Sequence, residues 1–446
     1  MAASDFVSAE SMSAERIQLF QQAYRDLDLF PLVTPEQIDQ FRVTYGKRVL
    51  SRLKLVVQAS ENSEEQRNKI IFVGPRGCGK STLLKDFAVE MKKEYVVVFF
   101  SVADSIEMSD VTHVNILYTI GIRLLSEASK LKIEIPRDIQ TSLLRWMDTK
   151  RKTVEETTTK AEIGIGAEIA GVGLKLQRER AFREELERTY EKRISELVEK
   201  LDRLAGLIQV KMKKHVLVVI DDLDKLDLSI GEQIYRQNVK ALFSPAFRIV
   251  FTIPFPLIRE PHIMRTLESE SAARIMLPVS KFFSREDCHN PQAEPNAKEL
   301  HLFEDILEKR FPPGLLAPGI SRKIALLSGG LMRELIRLAR ECCAECMVEL
   351  DIDPSLTTLQ VDDQILSTAV GNLRNNFARE MGAKGLYETA AQVYQTLKLV
   401  DGDGGMQLLN GLMIFEYENG DVWYDLNPIV LDLLRREKVI ASNDAP

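Results

Sequence analysis

The stretch Lys69-Ile-Ile-Phe-Val-Gly-Pro-Arg-Gly-Cys-Gly-Lys-Ser81 decides the fold. Four of its first five residues are apolar, which predicts a buried strand. The next eight residues match the pattern G-x-x-x-x-G-K-[ST] without a mismatch, and residues 82–91 continue with a helical pattern. A strand, a glycine-rich loop and a helix in this order form the arrangement that binds nucleotide phosphates.

The residue types in this loop have a physical explanation. Glycines let consecutive backbone N–H groups converge on an anion, and the N-terminus of the following helix adds positive potential. We expect the Lys80 ammonium to bind the β- and γ-phosphates and the Ser81 hydroxyl to bind Mg²⁺. The predicted nucleotide-binding residues are Gly74, Pro75, Arg76, Gly77, Cys78, Gly79, Lys80, Ser81 and Thr82.

A second apolar run ends in acidic residues, in the sequence Val218-Val-Ile-Asp-Asp-Leu-Asp224. It matches the Walker B pattern, whose first carboxylate binds the Mg²⁺ shell, so Asp221 is the predicted metal ligand beside Ser81. Asp222 is the predicted catalytic group that orients or deprotonates the attacking water. The second acid and the lack of an Asn-Lys-x-Asp sequence favour ATP over GTP.

Further apolar runs predict strands at 95–101, 215–221, 248–253 and 274–278, with helical patterns between them. Near-continuous apolar strands that alternate with helices predict an α/β fold with a parallel sheet covered on both faces. The expected organisation is an N-terminal helical segment (1–60), a P-loop ATPase core (61–280) with an insertion (150–214), a helical lid (281–350) and a winged-helix-like domain (355–446).

Three local patterns predict secondary structure outside the sheet. Pro35–Leu55 has the apolar spacing of one continuous amphipathic helix. Ala161–Leu176 alternates apolar residues with a period of two, which predicts a hairpin or a bulge near Gly171. Between Tyr190 and Ile208, apolar residues recur at steps of four and three, which predicts a coiled-coil seam, either in an intramolecular arm or at an oligomer contact.

Two further residues are candidates for contacting the nucleotide. Thr252 lies in a predicted strand in which additional-strand P-loop ATPases place a polar sensor, although a plain β-branched strand residue explains it equally well. Arg333 follows Ser328-Gly-Gly and opens a helix, from which it could contact the γ-phosphate as a second sensor; the alternative is a solvated helix arginine. An arginine finger could be supplied by Arg259, Arg265 or Arg274, and the sequence does not choose among them.

Together, these features resemble bacterial P-loop ATPases of the AAA/STAND-like group, which includes KAP-type and initiator-like members. The resemblance rests on Gly74–Thr82, Lys213–Asp227, Phe251–Pro254, Ser328–Arg333 and Trp423–Pro428. It implies an additional-strand P-loop sheet and an ATP- and Mg²⁺-dependent switch that controls assembly, often in bacterial anti-phage systems. The chain has no recognisable nuclease, protease or TIR effector, so the resemblance implies a homo-oligomer that acts through a separate effector chain.

Composition excludes several classes of protein. The chain has 446 residues with 45% hydrophobic residues, which excludes wholesale disorder, and its net charge is −7. No apolar run is long enough to span a bilayer, and the first residues lack the basic and apolar regions of a signal peptide. Five cysteines are too few for a disulfide framework. We therefore expect a soluble, cytoplasmic protein.

The C-terminal region and the cysteines bear on partners and metals. Residues 362–446 contain 7 Lys and Arg against 13 Asp and Glu, so a protein partner is favoured over nucleic acid. Initiator-type DNA binding and a nucleotide-bound scaffold without turnover are the alternatives. The sequence Leu412–Tyr424 predicts a hairpin with a two-residue turn at Asn419-Gly420, and Trp423 and Tyr424 are expected in its core. Zinc sites normally need two ligand pairs, so Cys342, Cys343 and Cys346 are expected to be buried helix residues, with Cys288-His289 elsewhere in the chain.

Overall fold

The computed structural model describes residues 3–29, 35–59, 68–144, 165–270, 273–418 and 420–441. The chain divides into two compact units. The first, here called the sheet unit, consists of Gly46–Val73 and Ser81–Met276. The second, the helical unit, consists of the described residues of Met1–Tyr45, Gly74–Lys80 and Leu277–Pro446.

The sheet unit is built on five parallel strands in the order β2-β3-β4-β1-β5. The strands are β1 Lys69–Val73, β2 Val96–Ser101, β3 Val216–Asp221, β4 Arg248–Thr252 and β5 Ala273–Met276. Every residue of β1, β3 and β4 is buried, as expected for strands with both faces covered. Because β4 lies between β1 and β3, this is the additional-strand P-loop sheet, and the predicted fold class is confirmed.

Helices cover this sheet and connect its strands. Their bounds are Lys47–Ala59, Lys80–Met91, His113–Lys130, Arg137–Leu144, Ile165–Arg178, Arg180–Tyr190, Ile194–Met212, Leu228–Glu232, Val239–Phe243 and Pro261–Ser269.

The predicted hairpin near Gly171 is wrong, because Ile165–Arg178 is an α-helix. Ile169, Val172 and Leu176 are buried at helical spacing on one face, whereas Leu174, which a strand would place on the same face as Val172 and Leu176, is 50% exposed. The small residues between them blurred the helical period. Residues 161–164 of the predicted hairpin lie outside the described part of the chain.

The predicted seam belongs to the helix Ile194–Met212, which begins after a turn that follows Tyr190. Leu197, Leu201, Leu204 and Ile208 are buried within the sheet unit. A Cβ on Gly121 of the helix His113–Lys130 would lie 2.9 Å from a methyl group of Leu201. The seam is therefore an intramolecular contact between these two helices.

The helical unit contains further helices and an antiparallel hairpin of β6 Ile414–Glu418 and β7 Val422–Leu426. The helices are Ala3–Asp26, Pro35–Phe41, Ala297–Glu308, Ile320–Leu327, Met332–Ile352, Asp363–Lys384, Tyr387–Thr396, Asp403–Asn410 and Pro428–Arg436. Trp423 and Tyr424 are 2% and 5% exposed, so their predicted place in the hairpin core is confirmed. Asn419 of the predicted turn lies outside the described residues.

The continuous helix predicted over Pro35–Leu55 is wrong. The chain forms Pro35–Phe41 and Lys47–Ala59, with non-helical residues between them. Gly46 has a φ of +64°, a left-handed conformation that interrupts a right-handed helix. The apolar spacing continues across the non-helical residues between Phe41 and Lys47, so the side-chain pattern did not indicate where the helix ends.

The described residues bear on the expected burial of the cysteines and on membrane-spanning helices. Cys342, Cys343 and Cys346 are fully buried in the helix Met332–Ile352, as predicted. Among the residues that the structure describes, no helix has the length and apolarity needed to cross a membrane.

Candidate nucleotide-binding site

The loop Gly74–Lys80 has the backbone of a phosphate cradle. Gly77 and Gly79 have φ values of +84° and +91°, which favour glycine. The Lys80 side chain is buried, and its Nζ donates hydrogen bonds to the carbonyl oxygens of Gly74 at 2.8 Å and Pro75 at 2.7 Å. The Lys80 ammonium therefore lies within the loop.

Two residues outside the loop approach it closely within the helical unit. The Arg333 N–H donates to the Gly77 carbonyl at 3.0 Å, and the Tyr45 hydroxyl donates to the Gly79 carbonyl at 2.6 Å. A Cβ at Gly77 would lie 2.3 Å from the Arg333 Cβ, and one at Gly79 would lie 2.1 Å from the Tyr45 oxygen. Both positions are therefore restricted to glycine by packing as well as by φ.

A glycine turn positions Arg333 beside the loop. Gly330 has a φ of +82° and accepts a hydrogen bond from the Ser280 N–H at 3.2 Å. The Ser328 hydroxyl oxygen accepts a hydrogen bond from the Gly330 N–H at 3.2 Å. The helix Met332–Ile352 starts directly after this turn, so the sequence prediction that Arg333 opens a helix agrees with the structure. Its role as a sensor stays a prediction.

The acidic end of β3 lies in the sheet unit with Ser81. Asp221 accepts a hydrogen bond from the Ser81 hydroxyl, and one carboxylate oxygen each from Asp221, Asp222 and Asp224 lie within 4.8 Å of one another. Burial, together with the neighbouring carboxylates of Asp222 and Asp224, raises the pKa of Asp221 to about 6. Concentrated negative charge at this place favours a cation.

The residues present fit Mg²⁺. The Asp221 Oδ1 is buried and has no hydrogen-bond partner among the described residues. An unpaired buried carboxylate oxygen is costly, and a metal ion beside the Ser81 hydroxyl would satisfy it. Mg²⁺ prefers such oxygen ligands and usually keeps several waters.

Asp222 is oriented by two residues that the sequence analysis missed. The Ser101 hydroxyl donates to Asp222 Oδ2 at 2.6 Å, and the Lys225 ammonium lies 2.7 Å from Oδ1. Ser101 is the last residue of β2 and is in register with Asp221 on the neighbouring strand β3. Ser101 and Asp221 end two predicted strands. If the sequence analysis had placed these strands side by side in a parallel sheet, it could have identified Ser101 as a neighbour of the acidic residues.

Thr252, the last residue of β4, is fully buried. Its hydroxyl lies 3.5 Å from the Ile220 carbonyl, and its own carbonyl accepts a hydrogen bond from the Tyr235 hydroxyl at 2.7 Å. Thr252 is thus adjacent to the strand that carries Asp221, and its sensor role stays a prediction.

The three candidate finger arginines differ in exposure. Arg265 and Arg274 are exposed, whereas Arg259 is partly buried with its guanidinium 5.8 Å from the Phe255 ring centroid. Exposure suits a group that acts on a neighbouring subunit. Arg265 and Arg274 therefore remain candidates for the arginine finger.

Comparison with known proteins matches residues 52–247 to a family described as an ATPase domain predominantly from Archaea. Among solved structures, the chain is similar to the Orc1 protein of Aeropyrum pernix in complex with DNA, at 14% identity and a TM-score of 0.38, covering 92% of this chain and 96% of that one. It is also similar to Cdc6p from Pyrobaculum aerophilum, at 12% identity and a TM-score of 0.36, covering 92% and 97%.

The family match contains both the phosphate loop and the acidic end of β3. It also overlaps the parallel sheet whose strand order is that of additional-strand P-loop proteins. The match, the two motifs and the sheet agree with one another: residues 52–247 are a P-loop ATPase domain, and the chain that carries them is an ATPase.

Proposed function

We propose that this chain is a switch that binds and hydrolyses Mg-ATP and passes its nucleotide state to the C-terminal helices and hairpin, thereby controlling its own assembly or a partner protein. The observation that carries the proposal is the turn Ser328–Arg333. One end of this turn contacts the phosphate loop, and its middle contacts the hairpin.

The contacts of the turn lie within the helical unit. The Arg333 N–H donates to Gly77 at 3.0 Å, and the Gly329 carbonyl accepts from the buried Tyr417 hydroxyl of β6 at 2.7 Å. A Cβ on Gly329 would lie 2.6 Å from the Phe415 ring. Because the turn is packed this tightly, a nucleotide-dependent shift of the loop would displace the hairpin rather than be absorbed.

Binding would use the charge already held in the loop. We propose that the Lys80 ammonium exchanges its two carbonyl partners for phosphate oxygens, while backbone N–H groups bind the remaining phosphate charge. Ser81 and Asp221 would hold Mg²⁺, which neutralises charge on the phosphates when bound. Ser81 follows Lys80 directly in the chain, so the residue proposed to bind phosphate and a residue proposed to bind Mg²⁺ are adjacent in the sequence.

Hydrolysis would depend on Asp222. Its carboxylate is oriented by the Ser101 hydroxyl and the Lys225 ammonium, which supports a role in orienting or deprotonating the attacking water. We propose Thr252 and Arg333 as the residues that respond to the γ-phosphate. A finger from Arg265 or Arg274 of a second copy would make turnover depend on a homo-oligomer.

The first experiment measures ATP binding and turnover by the wild-type protein, Lys80→Ala and Asp222→Asn. Lys80→Ala is expected to lose binding, and Asp222→Asn is expected to bind ATP but to lose about 10²–10⁴-fold in turnover. Unchanged ATP affinity in Lys80→Ala would refute the site. Tight binding without turnover in the wild type would favour the scaffold alternative.

The second experiment tests the coupling through the turn. Tyr417→Phe removes the hydroxyl that contacts Gly329, whereas Tyr424→Phe removes a hydroxyl that donates to Glu416 within the same hairpin. Hydrogen exchange of β6 and β7 is measured with ATP and with ADP. The proposal expects the nucleotide-dependent difference to be reduced by Tyr417→Phe and retained by Tyr424→Phe; equal behaviour of the two variants would contradict it.

The charge of the C-terminal region supports a protein partner. Residues 362–446, the core of the proposed winged-helix-like domain at 355–446, have a net charge of −6, from 7 Lys and Arg against 13 Asp and Glu. DNA affinity arises mainly from cations that face phosphates. We therefore propose a separate effector chain as the partner, and salt-sensitive DNA binding in a gel shift would overturn this choice in favour of an initiator-type ATPase.

The remaining assignments rest on the sequence. The segments 1–60, 61–280, 281–350 and 355–446 are proposed as functional domains, and their limits would be tested by limited proteolysis. The anti-phage role stays a prediction of the family resemblance, and infection of cells that carry the gene, compared with cells that carry the Lys80→Ala variant, would test it.

A further inference from the structure

We propose that Cys288, His289 and Asp425 form a zinc site in the helical unit that joins the segment after β5 to the hairpin. The inference is independent of the nucleotide site. Cys288 and His289 are adjacent in the sequence, and the fold brings them to Asp425, which lies 136 positions after His289.

The geometry is close to that of a metal centre. One ligand atom from each residue, a sulfur, a ring nitrogen and a carboxylate oxygen, lie within 4.8 Å of one another, and His289 Nε2 lies 3.0 Å from Asp425 Oδ1. Zinc bonds of about 2.0–2.3 Å in a tetrahedron place ligand atoms roughly 3.3–3.8 Å apart. Small side-chain rotations would therefore complete a three-ligand zinc site.

The donor set indicates which metal it would take. A thiol, an imidazole and a carboxylate together suit Zn²⁺, whereas Mg²⁺ and Ca²⁺ prefer oxygen alone. The cluster Asp221, Asp222 and Asp224 in the sheet unit has only oxygen donors. Among the described residues, the proposed zinc site and the proposed magnesium site thus differ in chemistry, and the sulfur donor distinguishes them experimentally.

The three side chains are already held in place by neighbouring groups. The His289 ring stacks on the Tyr394 ring, with centroids 4.1 Å apart. Asp425 Oδ1 also accepts the Leu426 N–H at 2.8 Å, and the Cys288 thiol donates to the Arg285 carbonyl at 3.2 Å. Such outer contacts orient metal ligands and lower the cost of assembling the site.

The proposed site is partly open to solvent. The side chains of His289 and Asp425 are 27% and 15% exposed. Three protein ligands with one water is a common zinc arrangement. Because the ligands come from segments far apart in sequence, bound zinc would stabilise the hairpin against the preceding loop.

The experiment titrates the nucleotide-free, metal-free full-length protein with Co²⁺ and then with Zn²⁺. A thiolate that binds Co²⁺ produces a charge-transfer absorption band, which an oxygen-only site such as the Mg²⁺ site does not. We expect the band to saturate at one equivalent of Co²⁺ and to disappear as Zn²⁺ displaces it. Absence of the band from the wild type at stoichiometric Co²⁺ would overturn the proposal and leave a metal-free His–Asp hydrogen bond.

Variants assign the site. Cys288→Ser is expected to remove the band, and Asp425→Asn to weaken Zn²⁺ binding at least tenfold. His301→Ala is the matched control, because His301 is exposed and lies within 4 Å of Glu304 and Asp305 without a cysteine. Retention of the band in Cys288→Ser would contradict the assignment. Thermal unfolding provides a second readout: zinc should raise the Tm of the wild type and His301→Ala, but not that of Cys288→Ser.

Discussion

Replacing Gly330 by alanine tests the turn that joins the phosphate loop to the hairpin. Gly330 has a φ of +82°, and a Cβ built on it would lie 1.6 Å from the Ser280 carbonyl oxygen. Gly314, in the same unit, also has a φ of +82°, but its Cβ would meet nothing within 4 Å. The two substitutions therefore impose the same backbone strain, and only one of them adds a clash.

The structure allows the two costs to be separated. An alanine in the left-handed region costs roughly 1–2 kcal/mol, which is the whole effect expected for Gly314→Ala. Overpacking adds about 1–3 kcal/mol, so Gly330→Ala should cost about 2–5 kcal/mol in free energy of unfolding. The clash is with backbone rather than with a flexible side chain, so relief requires movement of the turn. That movement displaces Arg333 from Gly77, and ATP affinity should fall in Gly330→Ala alone.

The assay is urea unfolding followed by Trp423 fluorescence, with the other tryptophan, Trp146, replaced by phenylalanine. Trp423 lies in the helical unit and stacks on Tyr417, so it reports the unit that contains both glycines. ATP affinity is measured on the same proteins. Equal destabilisation by the two substitutions, or unchanged ATP affinity in a destabilised Gly330→Ala, would refute the reasoning.

Three further predictions follow from other contacts. Burial raises the pKa of Asp221 to about 6, so the folded protein binds that proton more tightly than the unfolded chain, and the free energy of unfolding without magnesium should fall as pH rises from about 4 to 6. Asp221→Asn should therefore stabilise the protein in EDTA by up to about 3 kcal/mol at pH 8 but not at pH 4, and an equal effect at both values in urea unfolding would exclude this cause. Tyr45→Phe removes the hydroxyl bonded to Gly79 and should weaken ATP binding by about 0.5–1.5 kcal/mol in calorimetry, whereas Tyr387→Phe should leave it unchanged. Gly206→Ala should stabilise the sheet unit by about 1 kcal/mol through helix propensity, because nothing lies within 4 Å of its Cβ. Gly121→Ala has the same propensity gain but meets Leu201 at 2.9 Å, so thermal unfolding that ranks it equal to Gly206→Ala would contradict the packing of these helices.

The nucleotide motifs and the strands of the sheet were predictable because their information is local. A phosphate loop needs glycines and a lysine at fixed spacing, and Gly74–Ser81 satisfies that requirement without reference to the rest of the chain. Buried parallel strands are apolar on both faces, so β1, β3 and β4 stand out as short apolar runs. The proposed metal ligands Ser81 and Asp221 follow directly from the same two patterns.

Periodicity failed where small residues or a break confused it. In Ile165–Arg178, glycine and alanine residues between the larger apolar residues suggested a period of two in a stretch whose buried side chains follow a helix. Between Phe41 and Lys47, apolar spacing continued through a left-handed glycine. In both cases the backbone, not the side-chain pattern, determined the element.

The amino-acid sequence by itself determined that this protein carries a P-loop ATPase domain, because each motif is a short segment whose residue types are required by phosphate and magnesium chemistry. Only the tertiary structure decided which distant residues join these segments. Tyr45 and Arg333 reach the phosphate loop, Ser101 reaches Asp222, and Asp425 reaches His289, all across long separations in the chain. Such contacts depend on strand order and on how loops close, and no local pattern encodes them.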